Sequence, residues 1–452
     1  MSPYLNDRRG GGVRVCFDLG TAMSKASVCL GDSEVAPVPI GAAASAEHPL
    51  LTPSAMYVDD GRIFFGPSAL ARAGGGVASK RTPIVSFKLV LSAREIEPTL
   101  ALKLSRAVDP TSTLRHRDAL VLYLAYLDQL LRAALAAEPG LPQSAADAPR
   151  RLTSPEWNSF GEAVRVVSVL ADEAAAVSAQ LGAALVSAAG LPVDVAREAL
   201  VRAEASPARG GFEGIVLEAH SAAAAYANFA AASAPFFWVV DMGAGTTDMA
   251  GFERGPAVSD LREIEAARQC CVLAGDELDN LLVDILVRAS GQRKLPAEDQ
   301  LWRSLRLSLK DLKCDLFQTG KCSFKHGRKT VRVRRDAVIK HRSFKAYQRA
   351  LVASFADSLS PLLARAKTAK AHTVTILLAG GGSNLPFLAD LVRAAAKRCK
   401  WRGRLSIERF GATWSLPHQH HPFAGVFPQM AIVVGGALAP VVSVGAPAAE
   451  LA

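Results

Sequence analysis

At 452 residues, half of them hydrophobic, the chain can bury a large core and form two or more domains, while an aromatic content of 6% and abundant alanine favour packed helices over an aromatic-rich β sandwich. The formal net charge of +10, with pI near 9.4, brings acidic partners and nucleic acid into view without choosing a function. Seven cysteines without CxxC spacing exclude a disulfide framework as the natural reading and point to reduced thiols in a cytoplasmic protein.

Residues 1–12 are polar, with Arg8 and Arg9 followed by Gly10, Gly11 and Gly12, and read as a disordered tail rather than a secretory leader. The run Val15, Cys16, Phe17, Asp18, Leu19, Gly20, Thr21, Ala22 is an apolar strand that ends in Asp and enters a Gly turn with a hydroxyl residue. Residues 13–30 are expected to form a hairpin around it. Thr52, Pro53, Ser54 and then Asp59, Asp60, Gly61 mark further turns. Residues 118–137 have helical apolar spacing, 138–151 read as a surface connector, and 161–205 as an alanine-rich helical stretch broken near Gly190, Leu191 and Pro192. A short strand over 214–217 and a helix over 219–232 complete a first lobe, 13–234, with a helical insertion near 159–212.

The second lobe, 235–440, opens on Val239, Val240, Asp241, Met242, Gly243, Ala244, Gly245, Thr246, Thr247, Asp248, which repeats the first turn. One such turn is an ordinary hairpin; two at matching strand ends imply two similar lobes facing one cleft. Glycine lets consecutive N–H groups converge on one anion, Thr adds a hydroxyl donor, and the Asp stands where hydrated Mg²⁺ needs an acceptor. The pair reads as a clamp for a nucleoside triphosphate. Further on, 266–273 leads into Gly275 to Asn280, a turn that opens a helix, and 299–317 read as a helix. Residues 374–379 are a buried strand stopping at Gly380, Gly381, Gly382 and Ser383 before another helix, so the fold class is α/β in two lobes. The longest apolar run, 430–446, is interrupted by Gly435, Gly436 and Pro440; it reads as a buried helix followed by a tail, 441–452, and no membrane span is expected.

The basic segment 321–349 includes Lys325, Arg328, Lys329, Arg332, Arg334 and Arg335 around Val331 and Val333. Without interleaved exposed aromatics it reads as a solvated face or a docking surface for an acidic partner ahead of a nucleic-acid surface. His418, His420 and His421 lack nearby Cys or carboxylates at metal spacing and read as a surface loop.

These motifs, in order, resemble the nucleotide-binding domain of Hsp70 chaperones within the actin/Hsp70/sugar-kinase superfamily, over residues 13–438. The likeness rests on Asp18 to Thr21, Thr52 to Ser54, Phe87 and Lys88, Glu218 to Tyr226, Asp241 to Asp248, Gly275 to Asn280, and Ala379 to Pro386. It implies a two-lobed actin-like ATPase fold of duplicated ribonuclease H-like domains, with ATP or ADP and Mg²⁺ in the cleft. It further implies that Gly20, Thr21, Ala22, Gly243, Ala244, Gly245 and Thr246 cradle the phosphates and that Asp18 and Asp241 hold hydrated Mg²⁺. Lys88, Glu218 and Asp241 would be catalytic, with Lys88 reaching the γ-phosphate and Glu218 orienting water. Gly275, Lys310 and Lys313 would approach the ribose and base, and Gly381, Gly382 and Ser383 the adenosine.

There are departures. Asn384 stands where the family has an adenine-stacking Arg, Lys310 replaces an acidic residue of the ribose clamp, and Gln429 replaces an Asp. No substrate-binding β domain or lid is expected after the final helix. The reading is an Hsp70-like slow ATPase acting as a nucleotide-driven switch or chaperone-like partner of another protein. An actin-like or MreB-like polymerising ATPase, a nucleotide-binding scaffold without hydrolysis, and a sugar or acetate kinase are the alternatives. Thr52 to Ser54 and Lys88 argue against the filament former, and no sugar-binding loop is evident.

Overall fold

The duplication read from two turns extends to whole sheets. In the first, strands Glu34–Val38, Met23–Leu30, Arg14–Leu19, Arg150–Ser154 and Phe212–Leu217 lie in that order, antiparallel for the first three and parallel for the last three. In the second, Leu261–Cys271, Thr247–Arg254, Phe236–Met242, Thr373–Ala379 and Arg404–Arg409 repeat the order and the directions. The structure is a computed structural model that describes residues 12–31, 34–75, 81–155, 160–208, 210–230, 234–255, 261–293, 295–296, 299–412, 423–439 and 441. The two central strands, Arg14–Leu19 and Phe236–Met242, are buried almost throughout, which is why both read as continuous apolar runs.

Each sheet buries its outer face under helices. His116–Ala137 and Phe160–Leu181 pack together over the first sheet, and Arg342–Thr368 crosses the second. Between the sheets run two further helices, Glu218–Phe229 and Phe423–Leu438, in close mutual contact. Their core takes Cys16 and Cys29 from the first sheet and Phe237, Val239 and Leu377 from the second, so one hydrophobic layer serves both lobes. Two glycines make the crossing close. A Cβ on Gly435 would fall 1.6 Å from the Ser221 carbonyl oxygen, and one on Gly436 2.6 Å from Cys16 Sγ. The same helix is fastened to both sheets: Ser27 Oγ donates to the Val433 carbonyl (2.7 Å), and the Gly380 N–H donates to the Pro428 carbonyl (2.8 Å).

Several local readings need correction. The connector expected over 138–151 ends in the strand Arg150–Ser154, which carries a site residue. Its start is fixed by Arg150 Nη2 on Asp128 Oδ1 at 2.7 Å, a buried partnership invisible to periodicity. The single helix expected over 299–317 is two, Gln300–Leu307 and Leu309–Gln318, broken at Ser308, with Asp299 capping the first. Within the insertion near 159–212, the two-residue strand Leu191–Pro192 pairs with Arg62–Phe65, and the helix Val193–Ala205 packs into the first core. Chain position assigned the last helix to the second lobe, whereas it packs against the first-lobe strands and Glu218–Phe229 as well. The apolar run that begins at Met430 is therefore buried core up to Leu438. By length and composition, His116–Ala137 and Gly161–Val186 are long and apolar enough to cross a membrane; the first is 72% buried within the protein. The tails expected at 1–12 and 441–452, apart from Gly12 and Val441, and His418, His420 and His421 lie outside the described residues.

Gly435→Ala must push the two helices apart and is expected to cost about 3 kcal/mol, the upper range for overpacking. Gly425→Ala, on the same helix with nothing near its Cβ, is expected to be neutral or to gain up to about 1 kcal/mol. Urea unfolding of the two variants checks the difference; equal midpoints would contradict the close crossing.

Candidate functional site

Strand register puts two aspartates in equivalent places. Leu19 pairs with Ser24 and Met242 with Thr247, so each central strand ends in a four-residue loop, 20–23 and 243–246, that starts on glycine. Asp18 and Asp241 stand one residue before the loop mouth. Directly across the hairpin, Asp18 faces Lys25 whereas Asp241 faces Asp248. The two lobes thus present the same backbone with opposite charge.

The first loop is braced from below. Ser54 Oγ donates to the Gly20 carbonyl (2.6 Å), and the Ser54 N–H donates to the Ala22 carbonyl (3.0 Å). Ser24, Ser54 and Tyr123 share a buried hydroxyl network, and Tyr123 stacks on Phe87 at 4.3 Å, which seats the neighbouring Lys88. A Cβ on Gly20 would meet the Met23 carbonyl oxygen at 2.3 Å, so the loop needs glycine there. The second loop is braced by the N-terminus of the helix Gly275–Ala289. The Gly275 N–H donates to the Gly243 carbonyl (3.1 Å), and the Asp276 N–H donates to the Ala244 carbonyl (2.7 Å). Among the described residues, no acceptor takes the N–H groups of Thr21, Ala22, Ala244 or Gly245, so both loops retain donors for an anion.

Beneath the loops is a buried ionic cluster. Lys25 pairs with Asp18, and Lys88, from the short 3-10 helix Phe87–Ser92, pairs with Glu218 and lies 3.6 Å from Asp18 Oδ1. Thr153 Oγ1 adds a hydrogen bond to Asp18 Oδ1 at 3.0 Å. Burial pushes the Asp18 carboxyl up, but Lys25, Lys88 and Thr153 outweigh it and hold Asp18 below its ordinary value. Lys88 behaves conversely: burial opposes its charge, and Glu218 and Asp18 restore it, leaving it raised overall. Glu218 is raised by burial and by Asp18 against the pull of Lys88.

Among the described residues, Asp241 and Asp248 are paired with no cation of their own lobe, and Lys25 and Lys88 lower Asp241 only in part. Burial, with Glu218 and Asp18, pushes Asp241 up to about 8, and burial with Glu218 and Asp241 pushes Asp248 well above the ordinary range. Asp241 Oδ1 and Asp248 Oδ2 are both buried without a hydrogen-bond partner. Four carboxylates thus face two ammonium groups, and the orphaned oxygens are on the side that lacks them. That deficit fits a divalent cation. Among the described residues no three His, Cys, Asp or Glu converge tightly enough to hold a metal directly.

The remaining candidates divide. Gly380, with φ +74°, follows the strand Thr373–Ala379 beside Asp241, and a Cβ there would lie 2.4 Å from Asp241 Oδ1. Gly382 packs on Met242, and the buried Ser383 Oγ donates to the Gly380 carbonyl (2.7 Å), so Gly381, Gly382 and Ser383 adjoin the second loop. Asn384 Oδ1 accepts from Arg409 Nη1 at 2.7 Å, which brings a guanidinium to the position where the sequence lacks one. Gly275 lies directly against the second loop. Lys313 is tied to Asp279 Oδ1 at 2.8 Å, whereas Lys310 points elsewhere and meets Glu47 of the first lobe at 3.2 Å with both side chains exposed. Sequence reasoning missed Lys25, Thr153 and Asp248 as site residues. Lys25 and Asp248 were findable, since each lies seven positions after its aspartate, where hairpin pairing returns. Thr153 lies just past the connector expected over 138–151, in a stretch to which the sequence assigns no element. None of the seven cysteines, all among the described residues, is in a disulfide, and burial raises the thiol of Cys16 beneath the cluster, which makes it a packing group.

Two measurements probe the cluster. Lys88→Met leaves Glu218 and Asp18 short of a cation and is expected to cost roughly 3–5 kcal/mol, with Lys88→Met/Glu218→Gln recovering a good part; denaturant unfolding of both reads the outcome. For Asp241, the folded protein keeps a proton that the unfolded chain releases above the ordinary 3.8, so its stabilising share is complete at low pH and lost as pH rises through about 8. In nucleotide-free protein, Asp241→Asn is expected to match wild type near pH 4 and to melt higher near pH 8. A pH-independent difference in melting temperature would refute this.

Comparison with known families came out one way. No curated protein sequence matches the chain. A family model described as Hsp70 protein matches residues 172–403, just over half of the chain, taking in Glu218, the second loop and Gly381 to Ser383 but not Asp18 or Lys88. With two sheets of one topology related across a layer of helices, the architecture is the two-lobed actin-like ATPase fold, and the chain belongs to the Hsp70 family.

Proposed function

We propose that the chain binds ATP with Mg²⁺ between its two glycine loops, hydrolyses it slowly, and uses the change of lobe contacts to switch the surface offered to a partner protein. One observation carries this: two equivalent loops with free N–H donors flank a cluster in which Asp241 Oδ1 and Asp248 Oδ2 are buried without a hydrogen-bond partner and neither aspartate is ion-paired among the described residues. Members of the family generally bind ATP with Mg²⁺.

The residues take the following parts. The N–H groups of Thr21, Ala22, Ala244 and Gly245 receive phosphate oxygens, aided by the hydroxyls of Thr21 and Thr246. Lys25, whose ammonium lies 3.5 Å from the place a Gly20 Cβ would occupy, adds positive charge under the first loop. Asp18 and Asp241 would hold hydrated Mg²⁺, which would supply charge neutralisation for the phosphates and the carboxylates together. Asp241, protonated up to about 8 in the ligand-free protein, would release its proton to solvent in order to serve as such an acceptor. Lys88, pre-aimed by Glu218 and Asp18, stabilises charge on the terminal phosphate, and Glu218 orients the attacking water. Gly381, Gly382 and Ser383, with Lys313, line the nucleoside side, where Arg409 held on Asn384 offers a flat cation to the base. Lys310 and Glu47 join the lobes only through an exposed pair, worth no more than about 1 kcal/mol, so they do not lock the cleft.

Calorimetric titration of ATP, ADP and GTP with Mg²⁺ tests the reading. ATP is expected to bind in preference to GTP, and Asp241→Ala to lose roughly tenfold or more in affinity. Lys88→Arg is expected to keep binding while turnover falls roughly 10²-fold or more. Absence of nucleotide binding by the wild-type protein would leave a protein–protein scaffold on this fold. Nucleotide-dependent pelleting would instead favour a filament former.

A further inference from the structure

The chain's net charge has an address. Residues 321–349 hold eleven of the 52 Lys and Arg and one of the 42 Asp and Glu, so they carry the whole formal charge of +10, and the rest of the chain balances at 41 against 41. The segment folds as an isolated hairpin, Lys321–His326 with Lys329–Arg334, followed by the helices Arg335–Lys340 and Arg342–Thr368. Among the described residues, none of the eleven cations forms an ion pair.

This arrangement works against stability in three ways. Lys321 lies directly opposite Arg334, and Lys325 diagonally from Arg332, all four exposed on one face of the ladder; like charges so placed repel. Arg342 and Lys345 sit in the first turn of a 27-residue helix that has no acid there, the end where the dipole disfavours cations. The one acid, Asp336, is exposed and neutralises none of them. The hairpin's other face is ordinary core, with Cys322 and Val333 buried and Phe324 and Val331 packed beside them. The repulsion is confined to the face that a partner can reach.

We infer that this hairpin is the docking site for an acidic, extended polypeptide segment of a partner protein, which adds to the ladder as a strand. Charge complementarity selects the acid. The backbone selects a polypeptide: the sheet has two strands and, among the described residues, no third, so ladder N–H and C=O groups stand at its outer edges. The same cations prevent a second copy of this hairpin from pairing there. A single-stranded nucleic acid would need an aromatic platform, and Phe324, Phe344 and Tyr347 are committed to the core. A duplex would run past a ribbon of about 20 Å onto a surface without net charge.

Fluorescence anisotropy with the full chain tests this, using a labelled peptide of alternating Glu and Thr, about twelve residues long to span a strand and its flanks. The controls are the same peptide with Gln for Glu and a duplex DNA of about 16 base pairs. The Glu peptide is expected to bind and to weaken with added salt, the Gln peptide to bind at least about tenfold more weakly, and Lys325→Glu/Arg332→Glu to cost at least about tenfold for the Glu peptide. Lys321→Gln/Arg334→Gln removes the opposed pair; it is expected to raise the melting temperature and weaken the peptide, and it serves where the charge-reversed protein does not fold. Equal binding of the Glu and Gln peptides, tighter binding of the duplex, no binding of the Glu peptide, or indifference to these substitutions would each overturn the assignment. The hairpin is remote in sequence from Asp18, Lys88 and Asp241, so the nucleotide reading stands or falls separately.

Discussion

Everything that brings the two loops together hangs on one close contact, the crossing of Glu218–Phe229 and Phe423–Leu438. Gly435 rests against the Ser221 carbonyl and Gly436 against Cys16 and Thr153, with no room for a methyl group at either. Helices that approach this closely cannot slide past one another without losing the layer that contains Cys16, Phe237 and Leu377. The position is also where chemistry begins, because Glu218 is the first residue of one helix and Pro428 of the other holds Gly380 beside Asp241. Packing and site geometry are set by the same residues. A lobe movement must therefore pivot about this crossing rather than pass through it.

On that rigid frame the duplicated hairpins have diverged in charge. Lys25 in one lobe and Asp248 in the other occupy the same register position across from an aspartate. The first carboxylate is satisfied within the protein and held ionised. The second shares a buried space with another carboxylate and holds a proton up to about 8. A symmetric site of two Asp–Lys pairs would be complete without a ligand, and one of two Asp–Asp pairs would carry too much negative charge to bury. One of each leaves a single unsatisfied demand for positive charge, next to loops that demand negative charge. On the proposed function, cation and triphosphate would each supply what the other side lacks, so they would be bound together more readily than either alone.

The sequence made the repeated loop, the central strands and the long first-lobe helix legible, because each is written in contiguous residues with one period. It could not show that the sheets repeat strand for strand, since the fourth and fifth members of each come from far along the chain. Arg150–Ser154 begins with two arginines whose charges are met by Asp128 and Glu213, so a buried strand looked like a polar connector. The helix Arg342–Thr368 went unanticipated for a similar reason, charge masking its buried positions, and Arg404–Arg409 because this edge strand has no fully buried residue. Of the candidate site, Asp18, Lys88, Glu218 and Asp241 come together in one buried cluster, while Lys310 spends its charge on Glu47 across an exposed gap. The motif pattern named the residue types; only the register revealed which of them oppose which.

The distribution of charge divides the labour of the molecule. The buried cluster in the middle works by near-balance, where one missing cation decides what binds. The hairpin at 321–349 works by excess, on a face that gains nothing for folding from its cations. Selection for stability alone would have placed carboxylates opposite Lys321 and Lys325, just as Arg150 and Arg151 have ion-pair partners in Asp128 and Glu213. Such repulsion on an otherwise neutral protein is better explained by a counter-charge carried on another chain. The hairpin belongs to the second lobe and packs on the helix Leu309–Gln318, which also carries the Lys313 contact to Asp279 beside the second loop. A partner seated there, as proposed, would bear on the same lobe as Asp241 and Asp248, so that the proposed nucleotide binding and the proposed docking would be coupled through a single rigid element.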